Sequence, residues 1–248
     1  MSDPLIALLH AARAGGPRLP DRAGEGLTRA RVFAVQEALA ADLGPVGGFK
    51  VACPPDAPIV IAPIYASDIH ASPATLTLPP AEEVGVELEY GFRVIAPLPD
   101  RDAPDFAGQM RASVELLPVF ELVQSRLENP KGADPLLKML DNQLNGAVVF
   151  GPPIRDWQSI DVTQAAADLS IGDKVHLSGA ARVPGGDAFA TLCKLAHAIG
   201  NHCGGLQPGQ LVITGSLNGL PWVTPGCVAK GEIAGLGAVE MTLRAGSE

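Results

Sequence analysis

Backbone-breaking residues recur along this chain at intervals too short for a fold built from long helices. Its 248 residues include 28 glycines and 23 prolines, about a fifth of the chain where an average protein has roughly an eighth. Pairs such as Gly44-Pro45, Pro54-Pro55, Pro79-Pro80 and Pro152-Pro153 punctuate it, without the three-residue period of collagen. Hydrophobic residues nonetheless make up 47%, which excludes an intrinsically disordered chain. High apolar content divided by frequent breakers favours short strands joined by turns over a helical bundle. Aromatics are scarce, at 7 Phe, 2 Tyr and 2 Trp, so the core has to be aliphatic. The length suits one large domain, or one domain with a small appendage.

Acidic residues outnumber basic ones by 27 to 18, a formal charge of −9, which opposes nucleic-acid binding because that needs a basic footprint. No stretch reaches the roughly 18 continuous apolar residues of a membrane span. The start, Met1-Ser2-Asp3-Pro4, lacks the basic segment of a secretory signal. Cys53, Cys193, Cys203 and Cys227 are widely spread with no C-x-x-C pair, and they read as reduced thiols, not as a disulfide frame or zinc site. The expectation is a cytoplasmic protein with no nucleic-acid or membrane partner. Its charged share of 18%, against about 25% on average, makes a homo-oligomer the expected state.

Apolar spacing predicts a helix over residues 4–12 and a second, capped by Thr28, running to Leu43 with Val32, Val35 and Leu39 on one face. The organisation expected is a helical N-terminal region, residues 1–45, and a β-rich catalytic domain, residues 46–248. From Phe49 to about Val123 the period is nearer two, interrupted by a short helix over 107–116. Residues 116–123 and 147–150 read as buried strands. Gly172-Asp173 marks a hairpin between 168–171 and 174–177. A longer helix is expected over 187–202, and strands over 210–214, 227–233 and 238–243.

Within this pattern a few polar side chains need explaining. Residues 86–94 read Val-Glu-Leu-Glu-Tyr-Gly-Phe-Arg-Val, so Glu87 and Glu89 share one strand face about 7 Å apart. They repel unless that face is solvated or a cation lies between them. Glu121 interrupts Leu-Leu-Pro-Val-Phe-Glu-Leu-Val, where burial on both faces is the natural inference. An ionised carboxylate there costs several kcal/mol unless paired or bound to metal. Two readings stand open: an ion pair with nearby Arg126, or a third oxygen ligand beside Glu87 and Glu89 for a hard cation such as Mg²⁺ or Mn²⁺. Lys50 stands alone among apolar neighbours in Gly-Gly-Phe-Lys-Val-Ala-Cys, either snorkelling to water or drawn into a cleft to hold an anion. The segment Asp141-Asn142-Gln143-Leu144-Asn145-Gly146 is a polar cluster suited to building a turn. Thr214-Gly215-Ser216 ends a strand in a loop that could offer N–H groups to an anion.

Taken in order, these segments resemble the fumarylacetoacetate hydrolase superfamily, in its 2-keto-4-pentenoate hydratase and 4-oxalocrotonate decarboxylase branch. The resemblance covers nearly the whole chain. It is carried by Gly48-Phe49-Lys50-Val51, Glu87-Leu88-Glu89, Glu121-Leu122-Val123 with Ser125-Arg126, Asp141-Asn142 before Gly146, Leu211 to Ser216, and Gly235-Leu236-Gly237. It implies an α+β fold, a curved mixed β-sheet or barrel-like roll with the N-terminal helices beside it. It also implies Mg²⁺ or Mn²⁺ on Glu87, Glu89 and Glu121, with Lys50 as the active-site lysine. Asp68 is a candidate catalytic residue by its place in Ser67-Asp68, where the branch often has an acidic pair. Asp141, Asn142 and Ser216 are candidate substrate contacts. Leu144 departs from the pattern, since relatives usually carry serine there.

The activity this implies is a metal-dependent hydro-lyase that adds water to a 2-hydroxy-2,4-dienoate to give a 4-hydroxy-2-oxo acid. The partner is then a small-molecule 2-oxo acid. Decarboxylation of an oxalocrotonate-like diacid and C–C hydrolysis of an acylpyruvate need the same ligand set and stay as alternatives. Leu144 keeps a third alive, a weakly active metal-binding partner subunit.

Overall fold

The computed structural model describes residues 3–247. Helix α1 (Pro4–Arg13) is capped by Asp3, whose Oδ1 accepts the Leu5 N–H at 3.0 Å. Helix α2 (Arg29–Leu43) is capped by Thr28 and stops at Gly44, whose φ of 113° suits glycine alone. Strands β1 (Val46–Ala52), β2 (Val60–Tyr65), β3 (Ile69–Ala71), β4 (Ala74–Leu78) and β5 (Val84–Val94) follow, then helix α3 (Phe106–Ala112) and strand β6 (Val114–Val123). Next come α4 (Pro135–Leu140), β7 (Asn145–Phe150), the hairpin β8 (Ala165–Ile171) and β9 (Lys174–Ala181), and α5 (Ala188–Ala198). Strands β10 (Leu211–Ser216), β11 (Trp222–Val223), β12 (Cys227–Ile233) and β13 (Gly237–Ala245) complete the chain. Among the described residues no helix is long and apolar enough to cross a membrane.

Three expectations shift. The helix expected to Leu116 ends at Ala112, because β6 begins at Val114 and is buried at every position. The helix expected to His202 ends at Ala198; Gly200 turns left-handed at φ 53° and a single 3-10 turn, His202–Gly204, follows. Helix α4 was not anticipated, although Asp134 caps it and Pro135 occupies its first turn.

The larger sheet has the order β2-β1-β10-β5-β6-β7-β3, with β11 paired to β5. Pairs β1–β10 and β3–β7 are parallel and the rest antiparallel. Its two edges, β2 and β3, are consecutive in the chain and joined only by Ala66–Asp68. Laid flat, seven strands would separate those edges by about 29 Å, whereas the link reaches at most about 14 Å. The sheet must therefore curl until its edges approach. At Gly47 the curl is so tight that a Cβ would lie 2.8 Å from both Ala66 Cα and Ile69 Cδ1. The architecture is the α+β, barrel-like roll of mixed sheet with N-terminal helices beside it.

Alternation then assigns each face a task. The convex face, including Leu88, Tyr90, Phe92, Leu116, Phe120 and Leu122, joins the main core. A second sheet, β4-β13-β12-β8-β9, packs against it, closely enough that a Cβ on Gly231 would meet Phe120 and Leu88 within 3 Å. The concave face carries a separate apolar cluster of Ile64, Leu117, Val119, Val148, Leu211 and Ile213, together with the carboxylates described next. Helices α1, α2 and α4 form a third cluster with Val123, Leu127 and Leu144.

Candidate metal centre

Antiparallel register between β5 and β6 places Glu87 directly opposite Glu121, with Glu89 opposite Val119. Opposite residues bring their Cβ atoms within about 5 Å, and Glu89 follows on the same face. One carboxylate oxygen from each of Glu87, Glu89 and Glu121 lies within 4.8 Å of the other two. Glu89 and Glu121 are fully buried and Glu87 nearly so.

Each carboxylate is held from a different strand. Residues 214–215 form an irregularity in the β10–β5 pairing, and Gly215, at φ 109°, turns its N–H onto Glu89 Oε2 at 2.6 Å. The loop read as able to offer N–H groups to an anion turns one of them onto the protein's own Glu89 carboxyl. Asn145, at the start of β7, donates from Nδ2 to Glu121 Oε1 at 2.8 Å. Lys50 enters from β1, with Nζ 2.6 Å from Glu121 Oε2, 3.4 Å from Glu87 Oε2 and 3.5 Å from the Gln143 carbonyl oxygen. Of the two readings open for Glu121, the ion pair with Arg126 does not form, since β6 ends at Val123 and Arg126 turns onto Asp141.

If all three carboxyls ionised, they would leave an excess of two negative charges over the one ammonium in a buried site. Burial, reinforced by Glu121, pushes the Glu87 carboxyl up to about 7 despite Lys50. Burial and the two neighbouring carboxylates push Glu89 well above the usual range. Burial works against the Lys50 ammonium, yet Glu121, Glu87 and Glu89 outweigh it and hold its pKa above the ordinary lysine value. Glu89 Oε1 is buried without a hydrogen-bond partner among the described residues. An all-oxygen donor set that reaches a net charge of −2 only when its carboxyls ionise, with one buried oxygen unpartnered, fits a hard divalent cation.

The loop beside these groups is strained. Asn142, Gln143 and Leu144 have φ values of 48°, 53° and 64°, and left-handed non-glycine residues cost on the order of 1–2 kcal/mol each. Arg126 holds the loop in place. Its guanidinium pairs with Asp141 Oδ1 and donates to the carbonyls of Asp141 (2.9 Å), Asn145 (2.8 Å) and Gln124 (2.5 Å). The strain presents the Gln143 carbonyl to Lys50 and the Asn145 amide to Glu121.

The remaining candidates stand at varying distance from this centre. Asp141 is buried, its oxygens taken by Arg126 and Ser125, so it secures the loop. Asn142 is buried beside Tyr65, and its Oδ1 has no hydrogen-bond partner among the described residues. Ser216 opposes Glu89 in register, but its hydroxyl donates to the Gly219 carbonyl at 2.6 Å. Asp68 lies in the turn between β2 and β3, half-buried, in the wall of an adjoining cleft. Leu144 packs with the helical cluster. Asn145 was missed as a holder of Glu121, and the Gly215 N–H was read as open to an anion but not assigned to Glu89. Both lie in segments that the sequence marks as polar loops, and nothing local shows which way they face.

No family profile matches the chain. It is 30% identical over 188 residues to 2-keto-4-pentenoate hydratase 2 of Dechloromonas aromatica (strain RCB), a match covering 75% of this chain and 68% of that protein. Hydratase 1 of the same organism is also 30% identical, over 189 residues. Among solved structures, 4-oxalocrotonate decarboxylase from Pseudomonas putida G7, complexed with magnesium and adipate, superposes with a TM-score of 0.77 at 17% identity, over 98% of this chain and 97% of that one. Fumarylpyruvate hydrolase from Pseudomonas aeruginosa, in complex with Mn²⁺ and pyruvate, gives 0.55 at 18% identity, over 81% and 89%. The chain belongs to the fumarylacetoacetate hydrolase superfamily, with the 2-keto-4-pentenoate hydratases among its relatives.

Proposed function

We propose that this chain is a divalent-metal-dependent hydratase that adds water to a 2-hydroxy-2,4-dienoate, giving a 4-hydroxy-2-oxo acid. The observation that carries the reading is the convergence of Glu87, Glu89 and Glu121 beside Lys50, with Glu89 Oε1 unpartnered. The three glutamates would hold Mg²⁺ or Mn²⁺, which supplies Lewis-acid stabilisation of negative charge on the substrate's 2-oxygen. Lys50, kept protonated by its carboxylate neighbours, offsets the same charge and can pass a proton within the buried site. The reaction first moves a proton from the 2-hydroxyl to the far end of the diene. The hydroxyl and hydrogen of water then add across the remaining double bond, hydroxyl at C4 and hydrogen at C3.

Arg126 and Asp141 fix the strained loop, and Asn142 Oδ1 is its free acceptor for a substrate hydroxyl or water. Asp68 serves as the acid or base at the cleft edge. Ser216 contributes through the turn it closes next to Glu89. The substrate partner is a small 2-oxo acid, and the working form is a homo-oligomer.

Decarboxylation of an oxalocrotonate-like diacid is the second reading, favoured by the structural likeness to a decarboxylase along nearly the full chain. The test is one assay with two readouts: metal-dependent loss of the dienoate ultraviolet band, and carbon dioxide release. Loss without carbon dioxide supports the hydratase, and stoichiometric carbon dioxide supports the decarboxylase. Cleavage into two acids marks an acylpyruvate hydrolase. Cation binding without turnover marks a partner subunit in which Leu144 has displaced the usual polar group. Unchanged rates in Glu87→Gln and Glu121→Gln would sink the mechanism.

A further inference from the structure

Strand β7 does not alternate cleanly at its start. Ala147 and Val149 face the main core, and Val148 faces the concave cluster. Strict alternation would send Asn145, two residues before Ala147, into that apolar core. The register prevents it: Leu122 pairs with Ala147 but Val123 pairs with Asn145, so Gly146 is one residue more than β6 can match. Such a bulge re-aims the side chain beside it. This one demands glycine, since a Cβ on Gly146 would stand 2.6 Å from Gln124 Cβ and 3.0 Å from the Leu122 carbonyl oxygen. Asn145 is thereby turned to the concave face and buried there, with Nδ2 2.8 Å from Glu121 Oε1.

The amide is fixed from behind as well. The Asn145 carbonyl accepts from Arg126 Nη1 at 2.8 Å, and the three left-handed residues 142–144 lead directly into it. Strain of this kind persists only where surrounding contacts impose it. Here the strained turn, the bulge and the Arg126 bond together deliver one side-chain amide to one carboxylate. Lys50 meets the same carboxylate at its other oxygen, Oε2. The two contacts differ in kind. The ammonium opposes an incoming cation by its charge, whereas the neutral amide orients Glu121 without repelling one.

We infer that Asn145 is a positioning residue for the cation: the bulge at Gly146 turns its amide onto Glu121, and that bond holds the carboxylate in the orientation that takes a divalent ion. Asn145 acts through Glu121, on the proposed reading that the three glutamates hold Mg²⁺ or Mn²⁺. Cation affinity is then set in part by a loop residue that does not touch the ion.

Asn145→Leu keeps the volume and removes the donor. Titrating the metal-free protein with Mn²⁺, with the free ion followed by electron paramagnetic resonance, gives Kd without any substrate. The variant should bind Mn²⁺ about 10–100-fold more weakly than the wild type, as for other groups that orient a metal ligand. Asn145→Gln keeps the amide and should recover part of the loss. Asn145→Ala removes the donor without adding bulk and carries the same expectation if the leucine variant does not fold. Saturated with Mn²⁺, the donor-less variant should also show an altered zero-field splitting, because Glu121 is no longer held in one geometry. A role confined to folding would leave both the Kd and the spectrum of the bound ion at their wild-type values, and that result overturns the assignment while leaving the three-glutamate site intact. A wild type that binds no Mn²⁺ counts instead against the cation site itself, and so against the proposed function.

Discussion

Replacing Arg126 by methionine tests whether one buried side chain holds the strained loop over the metal centre. The substitution keeps much of the apolar stem but removes the charge opposite Asp141, which is 1% exposed. It also removes donors to the carbonyls of Gln124, Asp141 and Asn145. Burial already raises the Asp141 carboxyl, and Arg126 is the largest opposing influence. Breaking a buried pair from one side typically costs 3–5 kcal/mol, a large share of the roughly 5–15 kcal/mol that stabilises a domain. For a chain of this size the loss corresponds to a fall in Tm of roughly 6–20 °C. Urea unfolding of wild type, Arg126→Met, Asp141→Leu and the double variant gives the coupling directly. The double variant should recover at least half of the loss, because it leaves no unpaired buried charge. A single variant within about 1 kcal/mol of wild type, or additive losses in the double, would falsify the assignment of Arg126 as the loop's lock.

Other perturbations follow from the same geometry. Glu89→Gln should leave cation-free stability unchanged or slightly raised, since burial and its neighbours already favour the neutral acid. It should also abolish stabilisation by Mg²⁺, which for a bound cation at 100 times its Kd is about 2.7 kcal/mol; thermal melts with and without Mg²⁺ read both. Leu144→Ser removes a buried side chain from the helical cluster and should cost about 2–4 kcal/mol in urea unfolding, in line with large-to-small core changes. His202, stacked on Phe33 at 4.0 Å and bonded to Gln36 and Glu37, has its pKa lowered by burial, with Glu37 opposing. The unfolded chain therefore binds the extra proton first. Its stabilising contribution is complete above about pH 6.5 and falls as pH drops below that value, by at most about 1.4 kcal/mol per pH unit. The difference between wild-type and His202→Gln unfolding curves from pH 8 to 5 isolates that slope, and parallel curves would exclude it.

Local pattern made much of this legible. Alternation in residues 86–94 placed Glu87 and Glu89 on one face, and an acidic residue inside the apolar run of β6 marked Glu121 as needing a partner. Lys50 was conspicuous for the same reason. That the four converge depends on facts no local window contains: the register that sets Glu87 opposite Glu121, the parallel pairing of β1 with β10, and the curl that turns their common face inward. Arg126 illustrates the limit. Proximity in sequence suggested Glu121, whereas the end of β6 sends the side chain across to Asp141. Asn145 sat in a cluster that turn chemistry alone explained.

The central claim is that the three glutamates form one divalent-cation site. Crystallography of the Mn²⁺-soaked protein, using anomalous scattering to locate the ion, tests it most directly. One ion is expected, with oxygens of Glu87, Glu89 and Glu121 all within about 2.0–2.4 Å. An ion bound elsewhere, or full exclusion of Mn²⁺ by Lys50 remaining between Glu121 and Glu87, would contradict it.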